Sequence, residues 1–296
     1  MRPAERGFLL LTSHLGDPER RPLTVAQFRT LTERMAAAQK QPEDRDLQAG
    51  DLVALGCGTE MANRIIALLD QEELLEHYLR QGRKLGCEPI TRVSEGYPLL
   101  LRKRLGMEAP GCIWARGNIE LLTQPIVALV GNRELRPENW KFAAEVGRQA
   151  ALQGYVLLSG NARGADRAAQ DSCLEAGGSV ISIVPDALWK HPRQDRVLYL
   201  SEDGYDEEFS TQRALSRNRC IHALGLKTFV AQAGLETGGT WSGTVKNLRY
   251  GWSSVYCFRD GSEASVQLEQ MGATLIDREQ LASFYDLPTE ENLFTR

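Results

Sequence analysis

Ile126-Val127-Ala128-Leu129-Val130-Gly131-Asn132-Arg133 opens the stretch that decides the fold. The apolar run is long enough for a buried strand and too short for a helix, and it stops at a small-residue turn. A polar, helix-compatible segment runs from Pro137 to Gln153. A second apolar run follows, Tyr155-Val156-Leu157-Leu158, and ends in Ser159-Gly160-Asn161-Ala162-Arg163-Gly164-Ala165-Asp166. Strand, turn, helix, strand, turn is the pattern of a parallel βαβ unit, which puts both turns side by side at the carboxyl edge of a sheet. Each turn carries glycine for close backbone approach and one arginine for an anion.

Outward from there, strands and helices keep alternating. A third strand is expected at Ser179–Val184, then an irregular stretch from Pro185 to Arg196 and a strand at Val197–Glu202. A helix is expected over Arg213–Leu224, a strand at Thr228–Ala231, and a glycine-rich turn, Gly238-Gly239-Thr240-Trp241-Ser242-Gly243-Thr244, before a helix to Tyr250. Val255–Phe258, Ser265–Met271 and Thr274–Ile276 complete the alternation, and the tail beyond Gln280 reads as amphipathic and then polar. Strands spaced by helices imply one α/β sheet covered on both faces.

Upstream, residues 1 to about 90 read as helical, with Thr24 as the N-cap of a helix from Val25. Pro42–Asp46 reads as a charged linker. Two short helices flank Gly56-Cys57-Gly58, and a third runs from Glu72 to Leu85. The hairpin Leu55–Ala62 has the form of a helix-hairpin-helix offering amides to a DNA phosphate, but glycine-closed turns between helices are common, and the plain turn is the reading adopted. Tyr97–Pro110 reads as a connector and Cys112–Asn118 as a short strand with its turn. The expected division is a small helical domain over 1–95 and the sheet domain over 96–296.

With 296 residues, 42% hydrophobic and 25% charged, the chain has the make-up of a globular protein with a sizeable core. No apolar run approaches the ~20 residues of a membrane span, and Phe8–Leu11 is too short for a secretory leader. Six scattered cysteines without a Cys-x-x-Cys read as reduced core thiols, hence a cytoplasmic protein. A net charge of −4 argues against a basic coat around duplex DNA but not against a local basic groove.

The candidate chemistry lies in the turns. Gly131-Asn132-Arg133 and Ser159-Gly160-Asn161 with Arg163 and Gly164 would face an anion, the second at a helix start. Asp166 is assigned to positioning Arg163 or to capping amides. Arg213 and Arg217, one turn apart, would repel unless carboxylates or an anion meet them; Glu202, Asp203, Asp206, Glu207 and Glu208 are the carboxylates available. Arg217 and Arg219 cannot share a helix face, so at most one points to a ligand. Gly238, Gly239 and Thr240 supply a further amide-rich turn without a P-loop lysine. The four histidines are dispersed in the sequence, no cluster has metal spacing, and His222 reads as packing rather than as a base.

Together these pieces resemble the DprA/Smf family of DNA-processing proteins. The match is carried by Tyr97-Pro98, Trp114–Asn118, Val130–Arg133, Ser159–Asp166, Ser201-Glu202, Arg217-Asn218-Arg219 with Ile221, Gly238–Thr244 and Gly272-Ala273. The resemblance implies an extended Rossmann fold behind a small helical N-terminal domain, single-stranded DNA binding in a basic pocket, a homodimer, and delivery of DNA to a RecA-type recombinase; no cofactor is expected. It puts Arg133 and Arg163 on phosphate, Arg217-Asn218-Arg219 in the pocket wall, and the amides near Gly160 and Gly239 around them. The chain departs from the family pattern at Asn132, at Ala169-Gln170 and at Thr237–Thr240. It also carries Ala214 where an aromatic residue usually stands, with Phe209 or Trp241 as candidate substitutes. Two other readings compete. One is a Rossmann protein holding a nucleotide or nucleotide-derived signal. The other is an enzyme resembling the LOG phosphoribohydrolases, ranked last because Val245-Lys246-Asn247-Leu248 follows the glycine turn where a glutamate is needed.

Overall fold

The computed structural model describes residues 1–38, 46–202 and 204–288; most of the expected Pro42–Asp46 linker, Asp203 and the end of the tail lie outside the described residues. Helices come first: α1 (Pro3–Thr12), α2 (Val25–Ala37), α3 (Ala49–Ala54), α4 (Thr59–Leu69) and α5 (Glu72–Lys84). Thr24 caps α2 in a reciprocal box, its hydroxyl accepting from Gln27 N at 3.2 Å while Gln27 Oε1 accepts from Thr24 N at 3.0 Å. Leu31, Leu52, Cys57, Ala62, Ile65 and Leu68 bury one another in a small core between α2, α3 and α4. Gly56-Cys57-Gly58 closes the turn between α3 and α4, and the Gly56 carbonyl accepts from Arg34.

The sheet starts earlier than expected. Glu88–Thr91 forms β1, which pairs antiparallel with β2 (Cys112–Arg116). β1 thus lies upstream of the expected division at 95/96. Pro89 argues against a strand in sequence, yet β1 is the outermost strand, where a missing N–H costs no ladder bond. Between them, the expected connector contains a helix, α6 (Leu99–Leu105). The remaining elements are β3 (Ile126–Val130), α7 (Pro137–Leu152), β4 (Val156–Ser159), α8 (Ala165–Glu175), β5 (Val180–Ile183), β6 (Val197–Glu202), α9 (Thr211–Ser216), α10 (Asn218–Leu224), β7 (Lys227–Val230), α11 (Gly238–Tyr250), β8 (Ser254–Phe258), α12 (Glu263–Gln270) and β9 (Thr274–Ile276).

Nine strands lie in the order β1-β2-β6-β5-β4-β3-β7-β8-β9. From β6 to β9 all neighbours are parallel, and β2 joins β6 antiparallel. Chain order runs away from β3 on one side through β4, β5 and β6, and on the other through β7, β8 and β9. The direction reverses between β3 and β7, and a doubly wound sheet opens a crevice at the carboxyl ends of the strands flanking such a reversal.

The alternation along β3 assigns the two faces. Val127 and Leu129 join Phe142, Val146, Ala169 and Cys173 of α7 and α8, a core that also takes in Leu9, Leu10, Leu75 and Tyr78 from the N-terminal helices. Ile126, Ala128 and Val130 face Leu101 of α6, Ile221 of α10, Trp241 of α11 and Leu268 of α12. All six cysteines are free and buried. Among the described residues no helix is long and apolar enough to cross a membrane.

Candidate nucleic-acid interface

The turns after β3 and β4 lie against each other. Ala165 N donates to the Asn132 carbonyl at 3.2 Å. Gly164, at φ +81, allows this approach: a Cβ there would sit 2.3 Å from the Arg133 carbonyl oxygen. The turn after β7 closes the group, with Gln232 O accepting from Asn132 N at 3.0 Å and Gln232 Oε1 accepting from Arg136 N at 3.0 Å.

Above this edge lies a cleft of about 1060 Å³, lined by Gly131, Asn132, Arg133, Arg217, Asn218 and by Gly238, Gly239 and Thr240. A smaller cleft of about 330 Å³ adjoins it, lined by Gly160, Asn161, Arg163, Asp186 and His191. Arg133, Ala162, Phe209, Ala214 and Arg217 belong to both. Arg133 and Arg163 are exposed, and among the described residues neither makes an ion pair or a side-chain hydrogen bond.

Arg217 sits at the seam. It is only 8% exposed, and its Nε has no hydrogen-bond partner among the described residues. Gly160 makes room for it: a Cβ on that residue would fall 1.6 Å from Arg217 Nη1. Beneath the seam the Asp166 carboxylate accepts from Gly160 N and Ala162 N, each at 3.1 Å. Burial pushes the Asp166 carboxyl upward, opposed by the Arg217 charge and these two amides. Burial likewise lowers the Arg217 guanidinium, opposed by Asp166 and Glu202.

Several expected site residues have other occupations. The amides of Gly160 and Ala162 are already bonded to Asp166, so they form no open anion cradle; amide capping, one of the two roles read for Asp166, is the one it performs. Ser159 is fully buried and bonded by Gln170 Nε2, which also reaches Ser182 Oγ at 3.0 Å. Arg219 turns away from the cleft and grips both oxygens of Glu202, at 3.2 and 2.9 Å. Arg213 pairs with Glu207 at 3.2 Å. Of the two arginines that cannot share a face, Arg217 alone lines the cleft.

The expected helix Arg213–Leu224 is broken at Arg217 into α9 and α10. Arg219 Nη1 bonds the Ser216 carbonyl at 2.6 Å, and Cys220 N turns instead to the Arg217 carbonyl at 3.0 Å. Gly238–Thr244 is helical from its first residue rather than a turn. The Thr237 side chain does not cap α11, so its first amides, at Gly238, Gly239 and Thr240, lie at the cleft wall with the positive end of the helix dipole. Asn218 Nδ2 donates to the Gly239 carbonyl at 3.1 Å and ties that wall to α10.

The aromatic candidates separate clearly. Trp241 is 8% exposed and packs in the core, whereas Phe209 is 54% exposed and lines both clefts beside Ala214. Beside Asn161, which the sequence does pick out, lie three residues that it does not, Asp186, His191 and Tyr199. His191 accepts from Asn161 Nδ2 at Nδ1 (3.3 Å), donates from Nε2 to Asp186 Oδ1 (2.9 Å) and stacks on Tyr199. Its segment is irregular, and only the close packing of two loops reveals it.

His222 is fully buried, accepts from Asn247 Nδ2 at 3.1 Å, and has its pKa depressed to about 3 by burial. A folded-state pKa below the unfolded value means the unfolded chain takes up the extra proton, so stability is full above about pH 6.5 and falls on acidification. Between pH 7 and pH 5 this group alone costs about 2 kcal/mol. Urea unfolding of wild type and His222→Gln at both pH values measures it, the variant lacking that share of the acid sensitivity.

No group of His, Cys, Asp and Glu suited to a metal ion occurs among the described residues. A family model described as DNA recombination-mediator protein A matches residues 88–283. The chain belongs to that family. The DNA processing protein DprA of Streptococcus pneumoniae strain R6 is 31% identical over 192 residues, spanning 60% of this chain and 68% of that protein. The crystal structure of S. pneumoniae DprA superposes with a TM-score of 0.69 at 25% identity, covering 88% of this chain and 92% of that one. A Helicobacter pylori DprA, described by its single-stranded DNA binding mode, matches in fold with a TM-score of 0.56 at 22% identity, over 66% of this chain and 94% of that one. The match to the S. pneumoniae structure extends beyond the family segment, so the DprA/Smf resemblance and the α/β fold with its helical N-terminal region both hold.

Proposed function

We propose that this DprA-family protein binds single-stranded DNA in the cleft at the β3/β7 reversal, without chemistry on the strand. The carrying observation is Arg217, a buried guanidinium with an unpaired Nε at the seam of two joined clefts. Phosphates would lie over the α11 amides and against Arg133 and Arg163, which no carboxylate among the described residues claims. Phe209 supplies the face on which a base stacks, in place of the aromatic residue lost at Ala214.

Two joined clefts suit a polymer better than one nucleotide. The hydrolase reading ranks below this one because no carboxylate follows the glycines: Lys246 and Asn247 occupy the helix beyond them. Glu236 does not line the cleft, and of the two carboxylates that do, Glu134 and Asp166, the second is held by two amides. Homodimerisation, a cytoplasmic site of action and transfer of the strand to a RecA-type recombinase complete the proposal, on the strength of family membership.

Phe209→Ala tests the stacking role. Fluorescence anisotropy with labelled oligo-dT is expected to show affinity about ten-fold lower, at the low end of the roughly 1–3 kcal/mol of a base–aromatic stack. Unchanged affinity would remove Phe209 from the site.

A further inference from the structure

The clefts at the sheet edge do not end at α9. On its far side a groove of about 1030 Å³ shares Leu215 and Asn218 with the main cleft. This groove in turn shares Val25, Met107, Ala109 and Gly111 with a third, of about 870 Å³, between α2 and the β1–α6 side of the sheet domain. The three form one track passing from the strand ends, round α9, to the N-terminal helices.

The outer part of the track is basic in a chain whose net charge is −4. Arg92 and Arg102 donate only to backbone carbonyls, of Gly106 at 2.9 Å and of Arg92 at 2.6 Å, and neither has a carboxylate partner among the described residues. Arg29 is exposed on the opposite wall, with Glu33 at 3.6 Å on its own helix. Glu207 lines this groove as its carboxylate and is bound to Arg213. In the connecting stretch Lys246 faces the track, as do Glu108 and the paired Glu202 and Arg219. Phe28, half-buried and edge-on to Phe8 at 5.1 Å, adds an aromatic surface between the cations.

We propose that this groove is a second subsite for the same polyanion, taking the single strand onward from the sheet-edge cleft and engaging it with Arg29, Arg92 and Arg102. The inference rests on the reading of the cleft as a single-strand site. It gives the N-terminal helices a direct part in binding and makes affinity depend on strand length. A short oligonucleotide fills the cleft alone; a long one also meets the outer cations, each released counterion adding to the salt dependence.

The test uses the full chain, oligo-dT of about six and about twenty-four nucleotides, and two triple variants, Arg29→Ala/Arg92→Ala/Arg102→Ala and the same positions changed to Lys. The alanine variant is expected to bind the longer strand about ten-fold more weakly and the shorter one as wild type does. On the longer strand its log–log salt slope should fall by about 2, from roughly 0.7 per lost phosphate contact. The lysine variant is expected to keep most of the affinity, which separates charge from folding. Unchanged binding of the longer strand overturns the proposal and leaves the groove to a protein partner. Equal losses on both lengths, or a lysine variant as weak as the alanine one, overturn it as well. Failure of the underlying reading shows elsewhere: Arg133→Ala would then leave the short strand's affinity unchanged.

Discussion

Asp166→Ala is expected to lower stability by about 3 kcal/mol, more than any single change at an exposed residue of the cleft. The carboxylate accepts from Gly160 N and Ala162 N and lies beneath the Arg217 charge; the carboxylate, the guanidinium and the Gly160 amide are buried and the Ala162 amide half-buried. Truncation leaves a buried and a half-buried amide without an acceptor and a buried guanidinium without its nearby counter-charge. Each such orphan costs about 1–3 kcal/mol. In a chain of this size the melting temperature should fall by roughly 5–10 °C. Asp166→Asn keeps a carbonyl acceptor for the amides and removes only the charge, so its loss should lie between wild type and alanine. A thermal melt checks both, and a shift within about 1 °C for alanine would mean that the turn does not depend on this cap.

The second large effect is on binding. Arg133→Ala/Arg163→Ala removes two exposed cations that flank the seam without disturbing the core. Each charge-assisted contact to phosphate is worth about 1 kcal/mol at such an exposed position, so the pair should cost about 30-fold in oligo-dT affinity. Their melting temperature should match wild type, because neither guanidinium has a partner among the described residues. Arg219→Ala makes the contrast. That residue holds Glu202 and the Ser216 carbonyl, so its loss is expected to act on the α9–α10 break rather than on contact with DNA.

Where the fold was legible, it was legible for local reasons. Each central strand is a short apolar run bounded by glycine or polar residues, and a parallel strand buried on both faces has to look like that. The geometry of the βαβ unit then places the turns at one edge, and Asn132 and Ala165 are hydrogen-bonded there. Of Arg217 and Arg219 the cleft takes one, as expected, but the break at Arg217 rather than the periodicity of a single helix separates them. What stayed hidden depends on partners distant in sequence. Nothing near Arg219 says that Glu202 will hold it, and Ser159 reads as a site residue until Gln170 reaches it from the next helix. Gly160 reads in sequence as offering its amide to a ligand, whereas that amide goes to Asp166 and the space above its Cα is what Arg217 uses. Phe209 lies in a stretch without periodicity, so its exposure beside Ala214 could come only from the folded chain. β1 was obscured by Pro89, which only an edge position tolerates.

The most direct test of the sheet-edge cleft as a single-strand site is the salt dependence of oligo-dT binding, measured on wild type and on Arg133→Ala/Arg163→Ala, with a mononucleotide thermal-shift control. The expected result is oligonucleotide binding by wild type that weakens linearly on a log–log salt plot, a slope shallower by about 1.4 in the variant, and no stabilisation by the mononucleotide. Identical slopes for the two proteins, or stabilisation by a micromolar mononucleotide without oligonucleotide binding, would contradict it.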